Sequence, residues 1–418
     1  MMVNYAFASG WVDLGTPDPS EPSWEVNAIS STNLEISFKL KGFLQDHLKN
    51  GLNRISFPGS VPILERGAPN LPRMSRSITI PDLARMELSI IETEFVDIDI
   101  SDIEPSKGNL TRNIIPSTVP YVYGKSYEVD EFYPSEFVFL REPYILRSMR
   151  GQTIVFQPIQ YNPVQRKLRI FTQIDIRVQE TGVSQVNPLT RRPLNLNSRA
   201  FDHIYRDHFI NFPRNDRYDI LSEEGPMLVI CHGDFLDEMQ PFVDWKNYKG
   251  IPTDIVDVDS VGNVDAMEQF IENQYYENGI AFVLLVGDID QIESIRRSNG
   301  NGSNSPSDNS FTFVAGDDYY PDLIIGRFSA ETSEHVETMV NRTIDYEMNP
   351  DPEGTWYKKG SGYASNQGPG DDGEDDDEHL DNIRDLLLAY SYDEVDQIYD
   401  PNGTVADGEV AINNGRSI

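Results

Sequence analysis

Cysteine is nearly missing from this sequence: Cys231 is the sole one in 418 residues. That excludes an internal disulfide framework and a zinc site built from several thiolates. Histidine is scarce too, six in all. No apolar run approaches the ~20 residues of a membrane-spanning helix. The start, Met1-Met2-Val3-Asn4-Tyr5, has no basic region followed by an apolar stretch, so no signal peptide is visible. Basic charge is short: 34 Lys+Arg face 68 Asp+Glu, a formal net charge of −34. Nucleic acid is therefore not expected as the main partner, because holding phosphates takes a basic surface. There is no P-loop, no Gly-x-Ser-x-Gly elbow and no His-Glu-x-x-His zinc motif.

What is present reads as a globular chain of two or three domains, 39% hydrophobic and 24% charged. The charge is unevenly placed. Residues 1–217 carry 24 Lys+Arg and 25 Asp+Glu, whereas residues 218–418 carry 10 and 43. Two units with different surfaces are expected. Either the acidic half faces a salty or calcium-rich medium, or the first half covers part of it with complementary potential.

Residues 1–190 read as β-rich. Leu34–Phe38 and Val96–Ile100 alternate apolar and polar residues, the period of a half-buried strand. Thr153–Phe156 and Leu168–Phe171 are β-branched and aromatic runs. A sandwich or a pair of small sheets is expected, with Gly42–Lys49 the one stretch of helical pattern. Residues 191–226, punctuated by Pro193, Pro213 and Pro226, read as a linker with a short helical piece near Ala200–His208. From Met227 strands alternate with helices, which implies parallel β-α-β units. The spacing predicts strands at Met227–Cys231, Thr253–Val258, Ala281–Gly287 and Leu323–Gly326, and helices at Phe235–Tyr248, Val264–Glu277 and Ser333–Met348. After Asn349-Pro350-Asp351-Pro352 a second α/β unit, residues 349–418, begins. Its elements are a strand near Gly362–Ser365, a helix near Glu378–Ala389 and a strand at Glu394–Tyr399. Gly415–Ile418 reads as the entry to another strand.

Cys231 and His232 are consecutive at the end of a predicted strand, so their side chains point to opposite faces. They are not expected to form a nucleophile–base pair, and Cys231 reads as core. The acidic clusters carry more information. Asp288 ends an apolar strand, at the sheet edge where open α/β sheets place their ligands. In Ala315-Gly316-Asp317-Asp318-Tyr319-Tyr320-Pro321-Asp322, the carboxylates at 318 and 322 suit a hard cation with six to eight oxygen ligands. A solvated acidic loop is the alternative. Asp371–Glu378 packs seven carboxylates into eight residues ahead of a helix, more than helix capping needs. A cation, a basic substrate side chain or a solvated loop would each account for it.

Residues 218–418 resemble the gingipain-type cysteine peptidases. Phe242–Asn247, Leu284–Asp288, Ile325–Ser329, Arg342–Glu347 and Tyr399–Pro401 carry the likeness in the expected order. Residues 1–217 resemble the family's propeptide, through Gly67–Pro72 and Ile78–Pro81. The resemblance implies a caspase-like α/β catalytic fold behind a β-rich prodomain, and cleavage of polypeptides after basic residues. It implies structural calcium held by Asp288, the carbonyl of Ala315, Asp318, the carbonyl of Tyr320 and Asp322, the number of sites being left open. We further expect Asp288, Asp318 and Asp322 to place three carboxylates around one point. The resemblance makes Asp376 the floor of the pocket for a substrate's basic side chain. Gln367 stands where Arg-specific members have a Glu near the catalytic His, and an amide cannot stabilise imidazolium by charge. Maturation would cut between Arg217 and Tyr218, with Arg191-Arg192 and Arg214 as competing sites, and the propeptide would sit on its own catalytic domain. The family's Gly-His-Gly turn and nucleophilic Cys would follow the segment matching Gly415–Ile418. This chain alone is therefore expected to be inactive, an internal fragment of a secreted or cell-surface precursor. A secretion-system processing peptidase or sortase of the same fold is one alternative. A non-catalytic surface or adhesion protein that kept the scaffold is another.

Overall fold

In the computed structural model of the chain, alternation translates directly into layers. The described residues are 10–30, 32–111, 114–194, 198–213, 223–298, 304–368 and 374–416. Strand β1 (Asn33–Lys39) buries Leu34, Ile36 and Phe38 and turns the residues between them outward. Strands β2 (Pro72–Ile80), β3 (Ala84–Asp99), β4 (Tyr144–Leu146), β5 (Met149–Phe156) and β6 (Lys167–Val183) follow. One sheet is organised on β6, which pairs antiparallel with β1 and, over nearly its whole length, with β3. The other is organised on β5, paired with β2 and β4. Aromatic side chains fill the space between: Phe38 and Phe156 stack at 5.0 Å, and Trp24 meets Phe156 edge-on at 4.8 Å. This is the expected pair of packed sheets. The predicted helix at Gly42–Lys49 is instead a strand, Gly42–His47, held between Gly10–Asp13 and Asn53–Ser56.

The β4–β5 hairpin turns on two residues, Arg147 and Ser148, with Leu146 opposite Met149. Arg147 has φ 52°, the left-handed conformation that tight hairpin turns demand. Helix α1 (Arg199–His208) lies where the sequence predicts a short helical piece. It packs Phe201 and Tyr205 with Tyr144 and Leu146 and so belongs to the hairpin's surroundings.

The α/β unit contains β7 (Met227–Cys231), helix α2 (Leu236–Tyr248), β8 (Thr253–Asp257), helix α3 (Val264–Asn278), β9 (Phe282–Val286), β10 (Ile324–Phe328) and helix α4 (Ser333–Met348). The four strands are parallel in the order β8-β7-β9-β10. Both faces are covered, so both residue parities are apolar. Leu228, Ile230, Val283 and Leu285 meet Met267, Ile271 and Tyr275 of α3. Val229, Cys231, Leu284 and Val286 meet Met239 and Phe242 of α2 and Val336 and Val340 of α4. Helix α3 is capped at both ends. The Asn263 side chain accepts from the Ala266 N–H, and Gly279 takes the left-handed C-terminal position at φ 65°.

A second α/β unit holds β11 (Lys359–Ala364) and β12 (Glu394–Tyr399), paired parallel, with helices α5 (Asp376–Tyr390) and α6 (Val405–Asn413). A reciprocal cap between Asp375 and Glu378 starts α5, which uses part of the acidic run.

Candidate functional site

The carboxyl edge of the parallel sheet gathers the residues that follow each strand. Cys231 ends β7 and is fully buried. Burial pushes its thiol up to about 12, and its Sγ–H donates to the His232 carbonyl at 3.3 Å. His232 is turned away, its Nδ1 accepting from the Asp234 N–H at 3.4 Å. The two do not form a nucleophile–base pair, as strand alternation predicts. Asp288 follows β9. The Ser329 hydroxyl donates to its carboxylate at 2.8 Å and holds it below the usual range. Its own N–H donates to the Ala330 carbonyl at 3.0 Å. Beneath it Arg327 forks onto Asp308, with contacts of 2.7 and 2.8 Å, and donates to the Gly287 carbonyl at 2.8 Å. This brace was not singled out from the sequence.

The loop Ala315–Asp322 lies at the other edge. Ile324 pairs with Phe282 at the amino ends of β10 and β9, and Asp288 lies beyond the carboxyl end of β9. Asp322 precedes the one and Asp288 follows the other, so they are offset by eight residues along the strands. At 3.3 Å per residue that is roughly 25 Å. The expected calcium site with Asp288, Asp318 and Asp322 around one ion is thus not formed: parallel strands put them at opposite edges. Among the described residues no group of three or more His, Cys, Asp or Glu is placed to hold a metal ion.

Asp318 and Asp322 do come together, and their lone pairs are engaged. Asp318 Oδ1 accepts from the Tyr320 N–H at 2.9 Å, and Oδ2 from the Ile145 N–H at 2.8 Å. Asp322 Oδ1 accepts from the Arg147 N–H at 2.6 Å, and Oδ2 from Val314 and Ala315 at 2.9 and 2.7 Å. Asp322 is wholly buried, and burial raises its carboxyl to about 7. Burial raises Asp318 as well. In this arrangement the residues do not fit a resident cation, because backbone amides from the β-rich domain fill its place.

That contact is extensive. The Arg147 guanidinium is 1% exposed and donates to the carbonyls of Gly279, Ile280 and Asp322 at 3.0, 2.9 and 3.0 Å. Two of those carbonyls end helix α3, where a cation is favoured. The Tyr275 hydroxyl donates back to the Arg147 carbonyl at 2.8 Å. Tyr144 stacks on Tyr320 with ring centroids 3.7 Å apart. Asn187 accepts from the Asp317 N–H at 2.7 Å. Ile145 and Leu189 lie in the same apolar cluster as the α/β core. Sequence reasoning missed Arg147. The signal for it was a hairpin-sized gap between two apolar runs, with a basic residue at the tip.

In the second α/β unit the structure brings Gln367 and Asp376 together just past β11. The Asp376 N–H donates to the Gln367 carbonyl at 2.8 Å, and the Ser365 hydroxyl to the Asp376 carboxylate at 2.5 Å. Asp376 is half-buried at the start of α5 and Gln367 is exposed. Arg217, Tyr218 and Arg214 lie outside the described residues.

Residues 26–219 match the family Propeptide_C25, and residues 220–416 match Peptidase family C25. The chain belongs to peptidase family C25. Gingipain R1 of Porphyromonas gingivalis is 34% identical over 411 residues, 96% of this chain and 41% of that protein. Gingipain R2 of Porphyromonas gingivalis (strain ATCC BAA-308 / W83) is 36% identical over 372 residues, 87% of this chain and 50% of that protein. The chain therefore spans half the length, or less, of these C25 relatives. A solved complex of Porphyromonas gingivalis RgpB pro- and mature domains is 32% identical, with TM-score 0.40, covering 46% of this chain and 98% of that one. The Arg specific cysteine proteinase gingipain R is 32% identical, with TM-score 0.43, covering 48% of this chain and 47% of that one. The change from one C25 match to the other, between residues 219 and 220, falls two residues beyond Arg217. Among the described residues no helix is long and apolar enough to cross a membrane.

Proposed function

We propose that this chain is the pro-region and the first part of the peptidase region of a secreted cysteine endopeptidase that cleaves polypeptides after Arg or Lys. The observation that carries the reading is Asp376. A carboxylate stands at the mouth of a β-α connection, oriented by the Ser365 hydroxyl and left half-buried. Such a group pairs a guanidinium through two hydrogen bonds and accepts an ammonium as a point charge. Cys231 is not the nucleophile on this reading, because a buried thiol held near 12 supplies almost no thiolate. The nucleophile and its His base belong to the stretch matching the remainder of the C25 relatives.

Maturation by the same specificity cuts after Arg217. Of the competing arginines, Arg191 lies 4.0 Å over the Tyr276 ring and Arg192 pairs with Asp82 at 2.7 Å, while Arg214 lies outside the described residues. N-terminal sequencing of mature protein is expected to begin at Tyr218. The test of specificity is Asp376→Asn in a protein spanning the relatives' full length. Turnover of Arg and Lys peptide substrates is expected to fall on the order of a hundredfold, the loss of a charge-assisted pair, through KM more than through folding. Equal turnover by D376N and wild type would remove Asp376 from the pocket.

A further inference from the structure

We infer that the open edge of β3 is a docking strand for an extended basic polypeptide segment, which joins the sheet by backbone pairing and sets its lysines or arginines against Glu92 and Glu94. This goes beyond the specificity reading and does not depend on it. Among the described residues β3 pairs with β6 alone, so one of its edges has no neighbour. Which backbone groups face that edge follows from β6. The Thr172 carbonyl accepts from the Leu40 N–H, and the Glu180 N–H donates to the Thr32 carbonyl. Even-numbered residues of this stretch of β6 therefore turn their backbone towards β1. Gln173, Asp175, Arg177 and Gln179 are left to bond β3, opposite Glu94, Glu92, Ser89 and Glu87. The residues between these on β3, namely Met86, Leu88, Ile90 and Thr93, point their N–H and C=O groups outward, the irregularity at Ile91 shifting the alternation. Those groups find no hydrogen-bond partner among the described residues.

The surroundings of that edge are apolar. Ile90, Ile91 and Phe95 are each 48% exposed. Beside Met86, Leu88 and Ile90 lies an open groove of about 670 Å³, whose far wall is Phe137 and the short strand Val138–Leu140. That wall is a second open edge. The Gln157 N–H donates to the Phe137 carbonyl and the Arg141 N–H to the Thr153 carbonyl, so Val138 and Leu140 fall between the bonded positions and face away from β5. The two packed sheets thus end in open edges on either side of one groove. An extended segment on β3 finds backbone groups to pair with and apolar side chains to cover.

Charge decides which segment fits. On the same strand Glu87, Asp97 and Asp99 are each met by a basic residue of the fold: Arg85 at 3.0 Å, Arg169 at 2.8 Å and Lys167 at 3.8 Å. Glu92 and Glu94 are exposed and form no ion pair among the described residues. Two residues apart, they project from one face of the strand. A second copy of β3 laid antiparallel here brings glutamate against glutamate, and like charges directly opposite destabilise a sheet. A strand with a basic residue at every second position brings opposite charge instead. The apolar residues between its lysines then lie on the other face, with Phe95.

The test uses the whole chain and a fluorescent peptide that alternates lysine with valine, with a glutamate-for-lysine version as control. Anisotropy is expected to show saturable binding of the lysine peptide alone. Bound peptide should slow hydrogen exchange at the outward-facing amides of Ile90 and Thr93. The amides of Glu92 and Glu94, already bonded to β6, should not change. Thr93→Pro removes an outward N–H and spares the pairing with β6, a place where an edge strand accepts proline. It should melt close to wild type and bind at least about tenfold more weakly, two charges' worth of contact being left without the backbone pairing. Glu92→Gln together with Glu94→Gln should weaken binding on the order of tenfold, and carries the test with the exchange pattern should Thr93→Pro not fold. Equal affinity in T93P and wild type, or protection spread evenly along β3, would mean that charge alone holds the peptide and overturns the proposal. So would no binding by wild type. Self-association of the wild-type chain that T93P abolishes would overturn it too, by giving the edge to a second copy. None of these readouts involves turnover, so their failure leaves the specificity reading to its own test.

Discussion

Lys246 and Glu347 join helices α2 and α4 by a contact of 2.6 Å between Nζ and Oε1. Trp245 Nε1 and Lys249 Nζ reach the other carboxylate oxygen at 2.7 and 2.9 Å. Partial burial acts to raise the Glu347 carboxyl, but the donors from Lys246, Lys249 and Trp245 win and bring it from 4.5 to about 2. A depressed carboxyl stabilises the fold above its unfolded value and loses that contribution as pH falls through the folded one. Glu347→Gln is therefore expected to cost about 2 kcal/mol at neutral pH, reduced where solvent screens the pair. In urea melts the gap between variant and wild type should close from about pH 4.5 towards pH 2. A gap that does not change with pH would show that the amide loses packing rather than charge.

The Tyr144–Tyr320 stack is expected to couple the two domains measurably. Tyr144 is 3% exposed and its hydroxyl lies 2.6 Å from His208 Nε2. A double-mutant cycle with leucine at each position should give a coupling of about 1 kcal/mol. Additive effects would mean the rings pack side by side without mutual attraction.

Cys231 should be inert in the native chain. A thiol reagent is expected to label it only after denaturant unfolds the sheet, because the reactive form is the thiolate. Cys231→Ala should cost about 1–2 kcal/mol for the small cavity it leaves among Val229, Phe235 and Val286. Fast labelling without denaturant would contradict the burial described.

Arg327→Lys tests the brace under the carboxyl edge. A lysine cannot fork onto both Asp308 oxygens or reach Gly287 as well. The expected loss is about 2 kcal/mol by thermal melting, with the 288–296 segment the first to gain hydrogen exchange. An unchanged exchange pattern would mean that Asp308 and Gly287 are held by other contacts.

Much of the fold is legible in the sequence where periodicity is strong. Met227–Cys231, Ser333–Met348 and Glu394–Tyr399 occur at the bounds their patterns predict. Gly42–Lys49 misleads because Phe43, Leu44, His47 and Leu48 mimic a helical face, whereas pairing on both sides makes most of it a strand. Helix α6 escapes notice because Gly408 interrupts a short run whose apolar residues are largely exposed. The calcium grouping fails for a topological reason. Asp288 follows a strand and Asp322 precedes a parallel one, which already separates them. The hairpin that carries Arg147 left a local signal, a short gap between apolar runs, but the guanidinium's destination did not, because its partners lie more than 120 residues away.

Ile145 and Leu189 come from the propeptide side of the chain, yet they sit among Leu228, Ile230, Met267 and Leu285. Two sequence blocks thus share one interior. A cut near Arg217 severs the covalent thread and leaves that interior intact. What was a contact within one molecule becomes an encounter between two, and its persistence turns on concentration. Dilution, which means nothing to the unbroken chain, decides how long the two pieces stay together.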